Sequence, residues 1–212
     1  MRSTTNAYPK EQRLSAWSFA LKRVSITLEA ADEATLYGEL IQFTSSNGIV
    51  FVRLLATPQE YTIDFRDEPG CFWLAVTLDG ASVARNATTS FNLDDGHMVC
   101  ARSEMPISLQ FTGDHRILLL KIPPRALDQR LKALLPEKPR HLSADSGPAR
   151  LLSNVLRSLA DMGNDVTDEE LRPVELALPE FLLASLLNDA PARALGGAAG
   201  MRAALLERIF QT

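Results

Sequence analysis

Cysteine is scarce in this 212-residue chain: Cys71 and Cys100 are its two. They cannot make a disulfide framework, which points to a reducing compartment and a fold held by its core alone. There are three histidines, His97, His115 and His141. None has a second ligand two residues on, so a His-x-His metal set is excluded and all three read as surface or structural residues. No G-x-S-x-G elbow, phosphate-binding loop or G-x-G-x-x-G is present, so no catalytic residue and no cofactor is assigned. Charge of one sign is not in excess either. The balance of 22 basic and 26 acidic residues, net −4, lacks the basic footprint of a nucleic-acid grip. No apolar run approaches a membrane span, and the polar start MRSTTNAYPKEQR is unlike a signal peptide.

What is present is ordinary globular material, 46% hydrophobic, long enough to bury a substantial core. Its character changes near residue 123. Residues 9–22 read as a helix with Leu14, Trp17 and Leu21 on one face. Short β-rich runs follow: Val24–Leu28, LYGELIQF, IVFVRLLAT, CFWLAVTL, ASVARNATTSFNL, HMVCAR, SLQF and RILLLKI. Between them lie the turn signals SSNG, DEPG, LDGA, DDG and TGDH. About nine strands at regular short spacing, without βαβ alternation, predict an antiparallel sandwich or barrel. Pro58 is expected to end the third run.

From Pro123-Pro124 onward the spacing is helical. PRALDQRLKALLP predicts one helix, closed by Pro136, followed by a loop to Gly147. Gly147-Pro148 opens a second, with Leu151, Leu152, Val155, Leu156, Leu159 and Met162 on its apolar side. A third covers about 170–189, with Pro179 expected to kink or break it. That helix is apolar nearly all round. Burial on two sides is therefore expected, as interior core or as a subunit interface; in the second case Leu178, Phe181, Leu182 and Leu186 form a homodimer interface. APARALGGAAG reads as a linker, and MRAALLERIFQT as a helix with an orphan apolar face.

Three residues are candidates for binding a ligand. Arg53 is the charged residue inside IVFVRLLAT; alternation puts it on one face with Phe51 and Leu55. A guanidinium in a barrel mouth would face an anion such as a carboxylate; at a sheet edge it would face solvent. Trp73 shares a face with Cys71, Ala75 and Thr77, lining either a packed sheet or a cavity. The ligand-binding set expected is thus Arg53, Trp73 and Phe51.

The stretches YGELIQF, VFVRLLATP, FWLAVTLDGASVARN, FNLDDGHMVCARSEMPISLQF and RILLLKIPPRALDQRL carry a resemblance. In this order they resemble the N-terminal effector domain of AraC/XylS-type transcription regulators, the subgroup with an AraC-binding-like domain. Ile122-Pro123-Pro124 followed by Leu127 to Leu131 matches the strand-to-helix step that closes the family's barrel. The resemblance implies an α+β fold: a cupin-like antiparallel jelly-roll β-barrel followed by a C-terminal helical region. It implies a barrel sensor domain with its N-terminal helix over 1–122, a helical dimerisation region over 123–190, and over 191–212 a linker and the start of an absent helix-turn-helix domain. It further implies a cytoplasmic regulator that touches DNA only through that absent domain; the small-molecule effector expected, from the candidate residues, is a carboxylate or an aromatic. The rivals are a cupin-type metal-dependent enzyme and a protein-interaction module with a filled barrel.

Overall fold

The computed structural model describes residues 1–145, 147–162 and 166–188. The linker and tail helix expected over 191–212 lie outside them. The described residues form twelve strands: β1 (Arg2–Thr4), β2 (Ile26–Ala31), β3 (Gly38–Thr44), β4 (Val50–Ala56), β5 (Gln59–Ile63), β6 (Phe72–Asp79), β7 (Ser82–Arg85), β8 (Ser90–Leu93), β9 (Met98–Arg102), β10 (Ile107–Phe111), β11 (His115–Ile122) and β12 (Arg140–Leu142). The helices are α1 (Arg13–Lys22), α2 (Gln129–Leu134), α3 (Gly147–Asp161) and α4 (Asp168–Asn188).

The strands make two sheets, β1-β3-β4-β11-β6-β9-β12 and β2-β5-β10-β7-β8. Every pairing is antiparallel, as the short-strand pattern predicts, and with the C-terminal helices the class is α+β. Alternation decides what faces what. In the large sheet Val52, Leu54, Trp73, Ala75, Val99, Ile117 and Leu119 point at the small sheet, where Tyr61, Ile63, Ile107 and Leu109 meet them. Phe51, Phe72, Leu74, Val76, Leu118 and Leu120 point the other way, against Leu152, Leu156, Leu178 and Leu182 of α3 and α4. Strands buried on both faces lose the apolar–polar alternation, which is why CFWLAVTL reads as one continuous apolar run.

The two open seams of the sandwich are closed differently. Along the β3–β2 seam lies α1. Its Trp17 ring sits where a side chain at Gly38 would be, with an added Cβ only 2.5 Å from the ring. The Trp17 indole N–H donates to Gln59 Oε1 at 2.7 Å. The opposite seam, between β8 and β9–β12, is covered by Phe91 stacked on His141 and by the His97–His141 contact.

Several elements depart from the sequence reading. β4 stops at Ala56, before Pro58, as expected, but β5, which the sequence reading lacks, starts directly after that proline. Its first inward residue is polar, Gln59, which Trp17 satisfies. The helix expected from Pro124 is split: a single 3₁₀ turn, then α2, whose N-cap Asp128 accepts from the Leu131 N–H at 2.6 Å. The loop before Gly147 contains β12, which extends the large sheet beside β9. α4 runs through Pro173 and Pro179. Thr167 and Glu170 form a reciprocal capping box at its start, and burial of Leu171, Leu178, Leu182 and Leu186 holds the rest.

Candidate functional site

Two polar assemblies are built around the large sheet, one within the sandwich and one on its helix-facing side.

Inside the sandwich, strand register sets Val50, Lys121, Trp73 and Ala101 in one row across β4, β11, β6 and β9. Lys121 thus stands on the inward face at one end of the interior. Its Nζ donates to both carboxylate oxygens of Glu68 at 2.6 Å, and it lies 5.7 Å from the Phe65 ring centroid. Phe65 packs on Trp73 with centroids 6.5 Å apart. Trp73 is fully buried, and its indole N–H finds no acceptor among the described residues. Cys71 borders the group; burial pushes its thiol pKa up, and the nearby Glu68 carboxylate adds to the rise.

Further along the interior, the Tyr61 hydroxyl meets His115 Nε2 at 3.0 Å, while His115 Nδ1 meets the Gly113 carbonyl at 3.2 Å. A carbonyl can only accept, so Nδ1 carries the proton and Nε2 accepts from Tyr61. The Phe111 ring stacks on the imidazole at 3.8 Å. Burial lowers the His115 pKa to about 4 and pushes that of Tyr61 up, so both are neutral at physiological pH.

On the helix side, Arg53 does not face the interior as a barrel-mouth guanidinium would. Alternation directs it outward, and its Nη1 donates to the Ala160 carbonyl in the last turn of α3 at 2.5 Å. A cation at a helix C-terminus meets the negative end of the helix dipole. Phe51 also lies on this face, fully buried and stacked on Phe43 at 4.9 Å. Of the three expected ligand residues, only Trp73 points inward. Next to Arg53, Arg116 donates to Asp79 Oδ2 at 2.7 Å and to Asp161 Oδ1 at 2.6 Å. Arg157 lies 3.5 Å from Asp79 Oδ1. The end of α3 is therefore tied to β4, β6 and β11. At the other side, Asn47 in the β3–β4 turn donates to the buried Glu175 of α4 at 3.0 Å.

The expected interface residues on α4 are spent within the chain. Leu178, Leu182 and Leu186 are buried against the sheet and its neighbouring helices, and Phe181 packs beside them. Among the described residues, the large apolar side chains this helical layer exposes are Leu151, Met162 and Leu176, at 57%, 47% and 69%. His97 Nδ1 faces His141 Nε2 at 3.2 Å, and His97 Nε2 lies 3.5 Å from Asp145. Among the described residues no group of three or more His, Cys, Asp or Glu is placed to hold a metal. Among them, too, no helix is long and apolar enough to cross a membrane.

Sequence reasoning missed Lys121 and Glu68. RILLLKI reads as a strand ending in an ordinary charged residue. The one available signal was period two: Lys121 shares a face with Leu119 and Ile117, which belong to the interior.

A family model described as the AraC-binding-like domain matches residues 24–188. No curated protein matches the chain. Among solved structures, the AraC-like transcriptional activator CuxR superimposes with a TM-score of 0.69 at 16% identity, over 88% of this chain and 69% of that one. An RmlC-like cupin protein from Desulfovibrio desulfuricans gives 0.34 at 16% identity, over 45% of this chain and 91% of that one. The cupin domain of an XRE family transcriptional regulator from Enterobacter cloacae gives 0.33 at 12% identity, over 47% and 95%. The two-sheet architecture is cupin-like.

Proposed function

The chain belongs to the AraC-binding-like domain family, and on that premise we propose that it is the ligand-sensing and dimerisation part of an AraC-type transcription regulator, not an enzyme. A small-molecule effector enters between the sheets. DNA is contacted by a separate DNA-reading domain of the regulator, not by the sandwich and its helices. The regulator works in the cytoplasm.

One observation carries the reading. The large sheet shares one face with the interior and the other with α3 and α4, and polar ties anchor those helices to its strands and to the β3–β4 turn: Arg53 to Ala160, Arg116 to Asp161, Asn47 to Glu175. A ligand that prefers one spacing of the two sheets shifts β4, β6 and β11, and the ties pass that preference to the helices. This is a population shift, and its size is set by the ligand's differential affinity for the two arrangements. A two-fold dimer formed by the helical layer would present paired DNA-reading domains to two half-sites.

The test is a thermal-shift screen of the chain against aromatic acids, amino acids and amines, followed by hydrogen exchange with each hit. The sensor reading expects a hit that also changes amide protection in α3 and α4. A hit that alters only the sandwich removes the coupling, and a screen without hits favours an interaction module with a filled interior. Elemental analysis of the purified protein tests the rival metal-dependent enzyme, which requires a stoichiometric metal.

A further inference from the structure

We propose that the Lys121 end of the interior is a binding site for a small carboxylate with an aromatic or apolar body, and that Glu68 stands in for the ligand's carboxylate when none is bound. The inference rests on the sensor reading above and names the ligand class.

Lysine is an unexpected residue at this place. The rest of its row on the inward face is Val50, Trp73 and Ala101. A β-branched apolar residue would pack there without desolvating a charge. The ammonium is instead retained, 19% exposed, and satisfied by both oxygens of Glu68, which is 40% exposed. A partly exposed carboxylate held by one such pair is replaceable by another carboxylate of the same geometry. What a free acid would add is also there. The buried Phe65 ring lies beside the ammonium and packs on Trp73, so an apolar or aromatic body that parts this end of the interior meets aromatic carbon. Among the described residues the Trp73 indole N–H is a fully buried donor without an acceptor, and an unmade bond of this kind is costly until something accepts it.

Glu68 sits on the β5–β6 loop, and this loop reaches the helical region. Gly70 has φ +79°, its N–H donates to Glu104 Oε1 at 3.3 Å, and a Cβ there would stand 3.2 Å from Pro124. Releasing Glu68 from Lys121 therefore loosens a loop that abuts the segment leading into α2. Ligand binding at one end of the interior thereby acquires a second route to the helices.

The experiment is calorimetric titration of the 212-residue chain with benzoate, phenylacetate and indole-3-acetate, and with the matching neutral amides. At least one acid should bind, and its amide should not. Glu68→Gln removes the competitor and should tighten acid binding about fivefold, the size expected for losing a half-exposed ion pair. Lys121→Met should weaken it at least about tenfold, with Lys121→Arg restoring it. Should Lys121→Met fail to fold, the Glu68→Gln result decides. Unchanged or weaker acid binding in Glu68→Gln overturns the proposal, as does tight acid binding in a folded Lys121→Met. If amides or amines bind while acids do not, the carboxylate site falls and the sensor reading stands. If nothing binds in the wider screen either, both fall.

Discussion

The two buried faces of the large sheet are built from different materials. The helix-facing layer is aliphatic through its middle: Leu74, Val76, Leu118, Leu120, Leu152, Leu156 and Leu182 belong to one buried cluster. Arg53, Arg116 and the buried Glu175 join strand or turn to helix, and the hydroxyls of Ser153 and Ser185 are buried on the helices themselves. The interior layer carries polar groups within the packing itself: Tyr61 with His115, Gln59 with Trp17, an unmatched indole N–H on Trp73, and Lys121 at its end. Apolar contacts are non-directional and stabilise wherever shapes fit, whereas buried polar groups demand partners and fix geometry. The first layer is built to hold, the second to discriminate.

The largest expected effect tests the first half of that contrast. Leu182→Ala should cost about 3 kcal/mol in chemical denaturation, because it opens a cavity in a tightly filled layer. A loss under about 0.5 kcal/mol accompanied by monomerisation would instead make Leu182 an interface residue, as its sequence pattern suggested.

In the interior, His115 sets a pH dependence. Its pKa is about 4 in the folded chain against 6.5 for the unhindered side chain. Above 6.5 both states are neutral and nothing is lost. As pH falls towards 4 the unfolded chain takes a proton that the folded chain refuses, so stability declines, approaching a total of about 3 kcal/mol. His115→Gln should flatten that part of the stability–pH curve; a curve of unchanged slope would place the titration elsewhere.

Arg53→Met removes the bond to the Ala160 carbonyl and should cost about 1–2 kcal/mol. The more telling readout is local: amide exchange should accelerate at the end of α3 and hardly change in the small sheet. Uniform acceleration would deny that Arg53 is a tie between layers. The smallest effect on stability, within about 0.5 kcal/mol, is expected of Leu176→Glu, since that side chain is 69% exposed. In sedimentation the same variant should shift a dimer towards monomer if the exposed side of α4 pairs two copies; an unaltered dimer would move the interface off this helix.

Much of the fold is legible in the residues. Turn signals such as SSNG and LDGA bracket strands where expected, and IVFVRLLAT and RILLLKI become the paired β4 and β11. What escaped were elements whose signal lies in a partner. QEYTI opens with a polar residue after a proline and becomes a strand because Trp17, distant in sequence, satisfies Gln59. RHL is too short to announce itself and gains strand form only beside β9. Of the site, Trp73 was readable from its run. Arg53 was readable as an oddity but not as to side, because alternation gives two faces and does not say which is inside.

Local chemistry in the sequence determined that there would be an antiparallel β unit followed by helices, where its turns fall, and that a disulfide framework would not hold it together. Short-range propensities and periodicity settle such matters. Only the tertiary structure decided that Arg53 serves a helix end, that Leu178, Leu182 and Leu186 are used inside the chain, and that Lys121 meets Glu68. Each depends on which of two equally buried faces meets which layer. That is set by long-range packing, to which a period of two is blind.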